Sequence, residues 1–286
     1  MSVRIIIDST ADVTEAVRRR VTIVPMCVTF GQEQYLDGVT IDQRTFYEKL
    51  VESDVLPTTS QPAPSDFYQV FQEAVHAGDD VVCLTVSSKL SGTCQSAMIA
   101  AADFPGRVFV VDTLTVALGA AILAEHALTL VDRGMTAAAI AQMLTIDRER
   151  VRLIALLDTL EYLKRGGRIS RTVAFAGSLL SIKPVICIRD GAIEMLGKAR
   201  GSRQGNNLLV KEIHAAGGVD FSRPVMLGYT GLSDALLRKY IEDSAELWQG
   251  NVDELPVSMI GSVVGTHAGP GAIAVAFFAK GDQPGV

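Results

Sequence analysis

The sequence predicts a two-domain α/β protein: an N-terminal domain with a mainly parallel sheet flanked by helices, and a C-terminal α/β domain with a mixed or antiparallel sheet. Three observations lead there. Short β-branched runs alternate with helical stretches through the first half, the order that βαβ crossovers produce. The second half carries a hairpin signal instead: residues 184–189, then Asp190-Gly191, a pair that accepts the positive φ of a tight turn, then 192–196. The chain has 286 residues, 48% hydrophobic and 20% charged, which suits two ordinary globular domains and excludes disorder as the dominant state. The expected division is 1–156 and 157–286.

Strands are expected at 4–7, 21–30, 80–86 and 107–111, with helices at 42–53, 65–77, 91–102 and 114–133. The last of these is apolar almost all round, as a helix buried on several sides must be. A helix at 136–147 and a strand at 151–157 lead to the domain change. After the hairpin come a helix at 204–216, a strand at 224–229 and a helix at 233–248. Closing strands at 257–264 and 272–278 flank a glycine-rich loop.

The apolar run between Asp112 and Glu125 falls short of the roughly 20 residues that a membrane span needs. Residues 255–279 are long enough, but Pro256, Pro270 and several glycines suit strands and turns better. The apolar start at Ile5 is too short for a signal-peptide core, so a cytoplasmic protein is expected. Cys27, Cys83, Cys94 and Cys187 show no CxxC spacing; they read as buried free thiols, and no metal site is expected. Net charge is −6 but uneven. Residues 164–211 carry ten basic residues against Asp190 and Glu194, a local +8, leaving −14 elsewhere. Such a zone suits docking to an acidic partner or a phosphate group, or is an ordinary solvated surface. No motif or aromatic interleaving supports nucleic acid.

Four polar segments fall where open α/β sheets bind ligands, beyond the carboxyl ends of strands. Asp8-Ser9-Thr10-Ala11-Asp12 lacks a dinucleotide fingerprint and is expected to cap the next helix. Thr58-Thr59-Ser60-Gln61 is stiffened by Pro57 and Pro62 and reads as a turn with held hydroxyls. Ser87-Ser88-Lys89-Leu90-Ser91-Gly92-Thr93 opens a helix, where backbone N–H groups favour an anion and Ser91 is a plausible N-cap. Gly265-Thr266-His267-Ala268-Gly269-Pro270-Gly271 is expected to form an irregular loop around one histidine. Neither a GxSxG elbow nor a Walker loop is present.

Together these segments resemble the DegV family. Tyr35-Leu36-Asp37-Gly38, Leu163-Lys164-Arg165-Gly166-Gly167-Arg168-Ile169 and Ile182-Lys183-Pro184 extend the resemblance over nearly the whole chain. It implies a two-domain α/β (EDD) fold that holds a long-chain fatty acid between its domains. It also implies a binding subunit of a bacterial fatty acid kinase: a separate ATP-dependent subunit phosphorylates the carboxylate, and the acyl phosphate feeds phospholipid synthesis. By motif position Thr59, Ser91 and His267 hold the carboxylate, with Ser60, Gly92, Thr93 and Thr266 as the supporting loops. Arg200 resembles a family arginine that engages the kinase, and Arg203, Arg168 and Lys164 join it in the docking zone. Gly201-Ser202-Arg203-Gln204-Gly205 replaces the family's usual lysine-rich stretch, and Cys94 stands where relatives often have tyrosine on the pocket wall. No catalytic residue and no cofactor beyond the fatty acid is expected; membrane contact would be transient. The alternatives are a lipid-sensing regulator, or a hydrolase or transferase built on Ser91 and His267.

Overall fold

The computed structural model describes residues 2–169 and 182–280. Its strands are β1 (Val3–Asp8), β2 (Val21–Val24), β3 (Cys27–Phe30), β4 (Glu33–Leu36), β5 (Thr58–Ser60), β6 (Asp80–Thr85) and β7 (Val108–Asp112). They continue with β8 (Val151–Leu156), β9 (Ile182–Arg189), β10 (Ala192–Arg200), β11 (Val225–Tyr229), β12 (Val257–Met259) and β13 (Ile273–Phe278). A parallel sheet of order β2-β1-β6-β7 forms the first half. A six-stranded sheet of order β10-β9-β8-β13-β11-β12 forms the second, antiparallel except between β11 and β12. The α/β class, with one parallel and one mixed sheet, is as the sequence predicts. The hairpin turn is also where it was expected, with Asp190 at φ 49° and Gly191 at φ 81°.

Helix Leu118–Asp132 explains why one segment is apolar all round. Ile122, Leu123, Ala124 and Ala127 are fully buried. They share one core with Ile5, Ile7 and Leu84 of the parallel sheet and with Leu153, Ala274 and Phe278 of the mixed sheet. The helix begins later than the expected 114, because Leu114 (φ 50°) and Ala117 (φ 52°) take left-handed conformations that no helix continues. Sheet membership changes at the short 3₁₀ turn Arg148–Arg150. Strand β8 pairs with β9 and β13, so it sits in the mixed sheet, ahead of the division expected after residue 156.

The other departures have local causes. Pro25 splits the expected strand 21–30, sending β2 into the parallel sheet and β3 into a small antiparallel sheet of order β4-β3-β5. The segment read as a turn at Thr58–Ser60 is strand β5, paired with Val28 at Thr59. The Asp8–Asp12 turn does not cap the next helix. Asp8 accepts from Thr10 N–H at 3.0 Å and Val86 N–H at 2.6 Å, and Thr14 caps the helix Glu15–Arg18. Strand 257–264 ends early: only β12 is extended, and Ser262–Ala268 is a helix. His267 therefore lies in a helix's last turn, not on an irregular loop; Gly269, at φ 70°, ends that helix.

The segment 259–262 is stitched to the first half. Gln43 donates to the Met259 carbonyl at 2.8 Å and Tyr47 to the Ile260 carbonyl at 2.9 Å. Gly261 N–H donates to Asp12 at 2.6 Å, and Ser262 donates to Asp37 through both N–H and hydroxyl. All four cysteines are unpaired; Cys27 is half-buried and the others are buried. Among the described residues no helix is long and apolar enough to cross a membrane.

If helix Leu118–Asp132 carries the shared core, Ile122→Ala should cost about 2–5 kcal/mol in urea titration. The exposed Ile146→Ala should change stability by no more than about 0.5 kcal/mol. Equal effects would contradict this assignment.

Candidate functional site

A narrow apolar pocket lies where the two halves meet. Its floor comes from the mixed sheet, largely by alternation: Leu153 and Ala155 on β8, Ile186 and Ile188 on β9 with Cys187 between them, Ala274 on β13. Ala155 and Ala274 are directly opposed across β8 and β13, so the middle of the floor carries only methyl groups. The first half contributes Met26, Val86, Leu90, Val116 and Ala117. The left-handed Ala117 thus sits on the pocket wall, as strained residues at binding sites do. The cavity volume is ≈ 110 Å³.

Polar groups on the wall are few: Thr10, Thr59, Ser91, Arg168, Thr230 and His267. Two are bonded within their own half of the chain. Thr10 donates to Asp8 at 2.6 Å, and Thr230 accepts from Ala272 N–H at 2.8 Å. The other four are brought to one pocket. Thr59 Oγ1 lies 2.9 Å from His267 Nε2. Ser91 shares a 2.9 Å hydrogen bond with Thr93 Oγ1 and accepts from Thr93 N–H at 3.3 Å. Ser91 is not the N-cap itself; Gly92 holds that position, with helix Thr93–Ala101 following.

The His267 tautomer follows from its surroundings. Nδ1 is buried with no partner among the described residues and packs on Gly166, where a Cβ would stand 2.2 Å from it. A buried N–H with no acceptor is the costlier orphan, so the proton belongs on Nε2. That N–H donates to Thr59 Oγ1, which leaves the threonine O–H free to donate into the pocket. The ring is neutral: its pKa is pushed down to about 4, chiefly because burial disfavours imidazolium and secondly because of the Arg168 charge.

The supporting residues divide. Gly92 gives room to Gln61, since a Cβ there would stand 2.2 Å from Oε1; Gln61 donates to Ser96 at 3.1 Å and so holds the end of β5 against the 91–93 turn. Sequence reasoning did not single out Gln61, although it stands in the same proline-bracketed motif. Ser60 is exposed on the face of β5 opposite to Thr59. Thr266 does not reach the pocket, because its hydroxyl is spent on the Ser262 carbonyl at 2.9 Å. Arg168 was expected in the docking zone; it lines the pocket instead, donating to the Leu90 carbonyl at 3.2 Å and the Gly166 carbonyl at 2.7 Å. Lys164, Arg200 and Arg203 are exposed, and the Arg200 N–H donates to Gln204 Oε1 at 2.7 Å at the start of helix Gly201–Ala215. Cys94 is buried away from the pocket wall, and Arg171 of the basic segment lies outside the described residues. Ser91 and His267 do not bond to each other; each is paired with a threonine. Among the described residues no cluster could hold a metal ion.

A family model described as "Uncharacterised protein, DegV family" matches residues 2–280. The chain belongs to the DegV family. A DegV domain-containing protein of Deinococcus radiodurans is 36% identical, with 96% of this chain and 98% of that protein aligned. A DegV family protein from Thermus thermophilus, described for its fatty acid binding, superposes with a TM-score of 0.87 at 34% identity, covering 98% of this chain and 100% of that one. A stearic-acid-binding protein from Eubacterium ventriosum gives 0.85 at 27% identity, covering 96% and 97%. DegV from Bacillus subtilis, a fatty acid binding protein, gives 0.83 at 29%, covering 98% and 100%.

Two outcomes are expected from this geometry. Gly166→Ala drives a methyl into the imidazole and should weaken ligand binding about tenfold or more, read by calorimetry; unchanged affinity would contradict the packing. In a pH titration by NMR, His267 should stay neutral at about pH 5.5, where an ordinary histidine is mostly protonated. Because the unfolded chain takes up that proton near 6.5 and the folded chain only near 4, stability should fall as pH drops through this window.

Proposed function

We propose that this protein holds one long-chain fatty acid in the apolar pocket and presents its carboxylate to an ATP-dependent kinase subunit for acyl phosphate formation. The observation that carries the binding half is the placing of Thr59, Ser91 and neutral His267 at one pocket whose remaining wall is almost wholly apolar. Burying the tail gains roughly 0.8 kcal/mol per CH₂, on the order of 10 kcal/mol for a long chain before the costs of association. The carboxylate must then be hydrogen-bonded, or its burial cancels much of that gain. The free Thr59 O–H and the Ser91 hydroxyl supply donors, and charge-assisted bonds to a carboxylate are the stronger kind. Fatty acid binding by the Thermus, Eubacterium and Bacillus relatives supports the same reading.

The presenting half rests on chemistry. Thr59 and Ser91 are neutral donors, and Arg168 on the same wall is turned to two backbone carbonyls, so a carboxylate oxygen keeps the nucleophilicity to attack a phosphoryl group. The sequence has no Walker loop of its own, so ATP would come with the partner. The exposed Arg200, Arg203 and Lys164 suit an acidic or phosphate-bearing surface on it.

Mass spectrometry of lipid extracted from purified protein should find a long-chain fatty acid near one equivalent. Ser91→Ala with His267→Ala should lower its affinity at least about tenfold, with a folded circular dichroism spectrum. With kinase and ATP, Arg200→Ala should slow acyl phosphate formation without changing fatty acid affinity. No lipid and no binding would contradict the carrier, and hydrolysis of esters by the protein alone would favour the enzyme.

A further inference from the structure

We infer that Asp12 and Asp37 are positioning residues for His267: their carboxylates hold the start of the helix Ser262–Ala268, whose last turn presents the imidazole to Thr59. The inference rests on the fatty acid reading of the Thr59, Ser91 and His267 site.

Neither aspartate lines the pocket, so ligand contact does not explain them. Both are buried, at 5% and 6% exposure. They come from two separate segments, the turn after β1 and the turn after β4, and converge on one spot of backbone. Asp12 Oδ1 accepts the Gly261 N–H at 2.6 Å, and Asp37 Oδ1 accepts the Ser262 N–H at 3.2 Å together with the Ser262 hydroxyl. A Cβ on Gly261 would stand 3.0 Å from Asp12 Oδ1 and 3.6 Å from both Asp37 oxygens, so this approach needs a residue with little bulk.

Two buried carboxylates side by side are costly. Burial, and for Asp12 also the neighbouring Asp37 and Asp8 charges, push both carboxyls above the usual range, and Asp12 Oδ2 has no hydrogen-bond partner among the described residues. An apolar pair would avoid that cost, but it could not accept these backbone N–H groups.

From Gly261 onward the helix is a rigid link. Gly265 N–H donates to the Gly261 carbonyl at 2.8 Å, Thr266 Oγ1 to the Ser262 carbonyl at 2.9 Å, and Gly269 N–H to the Gly265 carbonyl at 2.9 Å. Gly265 is pressed on Tyr47 and Phe46, where a Cβ would stand 2.6 Å and 2.8 Å from their atoms. A shift at the helix start is therefore passed to His267, and its 2.9 Å bond to Thr59 tolerates only a few tenths of an ångström.

The test uses full-length protein, [¹⁵N]-imidazole NMR without ligand, and palmitate titration. Asp37→Ala should move the His267 ring signals in the unliganded protein and weaken palmitate binding about tenfold, the loss of one charge-assisted bond. Asp37→Asn keeps an acceptor oxygen and should restore both to near wild type. Thr136→Ala removes a remote N-cap, the acceptor of the Ala139 N–H at 3.4 Å, and should lower Tm without moving either readout. If Asp37→Ala fails to fold, Ser262→Ala removes the hydroxyl bond alone and should shift the ring signals in the same direction, by less. Unmoved His267 signals in the Ala variants, or an Asn variant no better than Ala, would overturn the inference. Wild-type protein that binds no palmitate would refute the fatty acid reading instead, and the unliganded imidazole signals would still decide the positioning claim.

Discussion

Thr59 and His267 are 208 residues apart in sequence and 2.9 Å apart in space, and that hydrogen bond joins the two halves at the pocket. It exists because strand β5 is pinned to β3 in the first half while helix Ser262–Ala268, from the second half, is seated on the first through Asp12, Asp37 and Tyr47. The orphaned Nδ1 fixes the tautomer, the tautomer frees the threonine proton, and burial keeps the ring neutral.

The apolar part of the site follows from ordinary sheet geometry. The floor residues are the core-facing set of β8, β9 and β13, and alanines at 155 and 274 turn what would be a packed core into a slot. Helix Leu118–Asp132 packs against both sheets, and the pocket lies beside its N-terminal approach at Val116 and Ala117. A binding protein built this way needs little polar machinery. Hydrophobic burial drives association, and a few donors decide which end of the ligand sits where.

The alternation of β-branched runs with helical stretches made the parallel first half legible, and Asp190-Gly191 made the hairpin legible. The helix carrying His267 was not legible: Gly265, Gly269 and Gly271 read locally as a loop, and the hydrogen bonds that hold the start of the helix come from Asp12 and Asp37, far away in sequence. Strand β5 was hidden for a related reason, since three residues between prolines become a strand only when β3 lies alongside. Thr59, Ser91 and His267 were named from motif resemblance, and the structure brings all three to one pocket. Arg168 was placed by its charge on a docking surface, but two backbone carbonyls hold it on the pocket wall. Tertiary hydrogen bonding decided each of these cases, and no local pattern carries it.

The most direct measurement is a crystal structure of the protein with palmitate. The account requires the carboxylate within about 3 Å of Thr59 Oγ1 and Ser91 Oγ, and the tail laid over Ala155 and Ala274. A carboxylate in open solvent, or a tail lodged anywhere else, would contradict it.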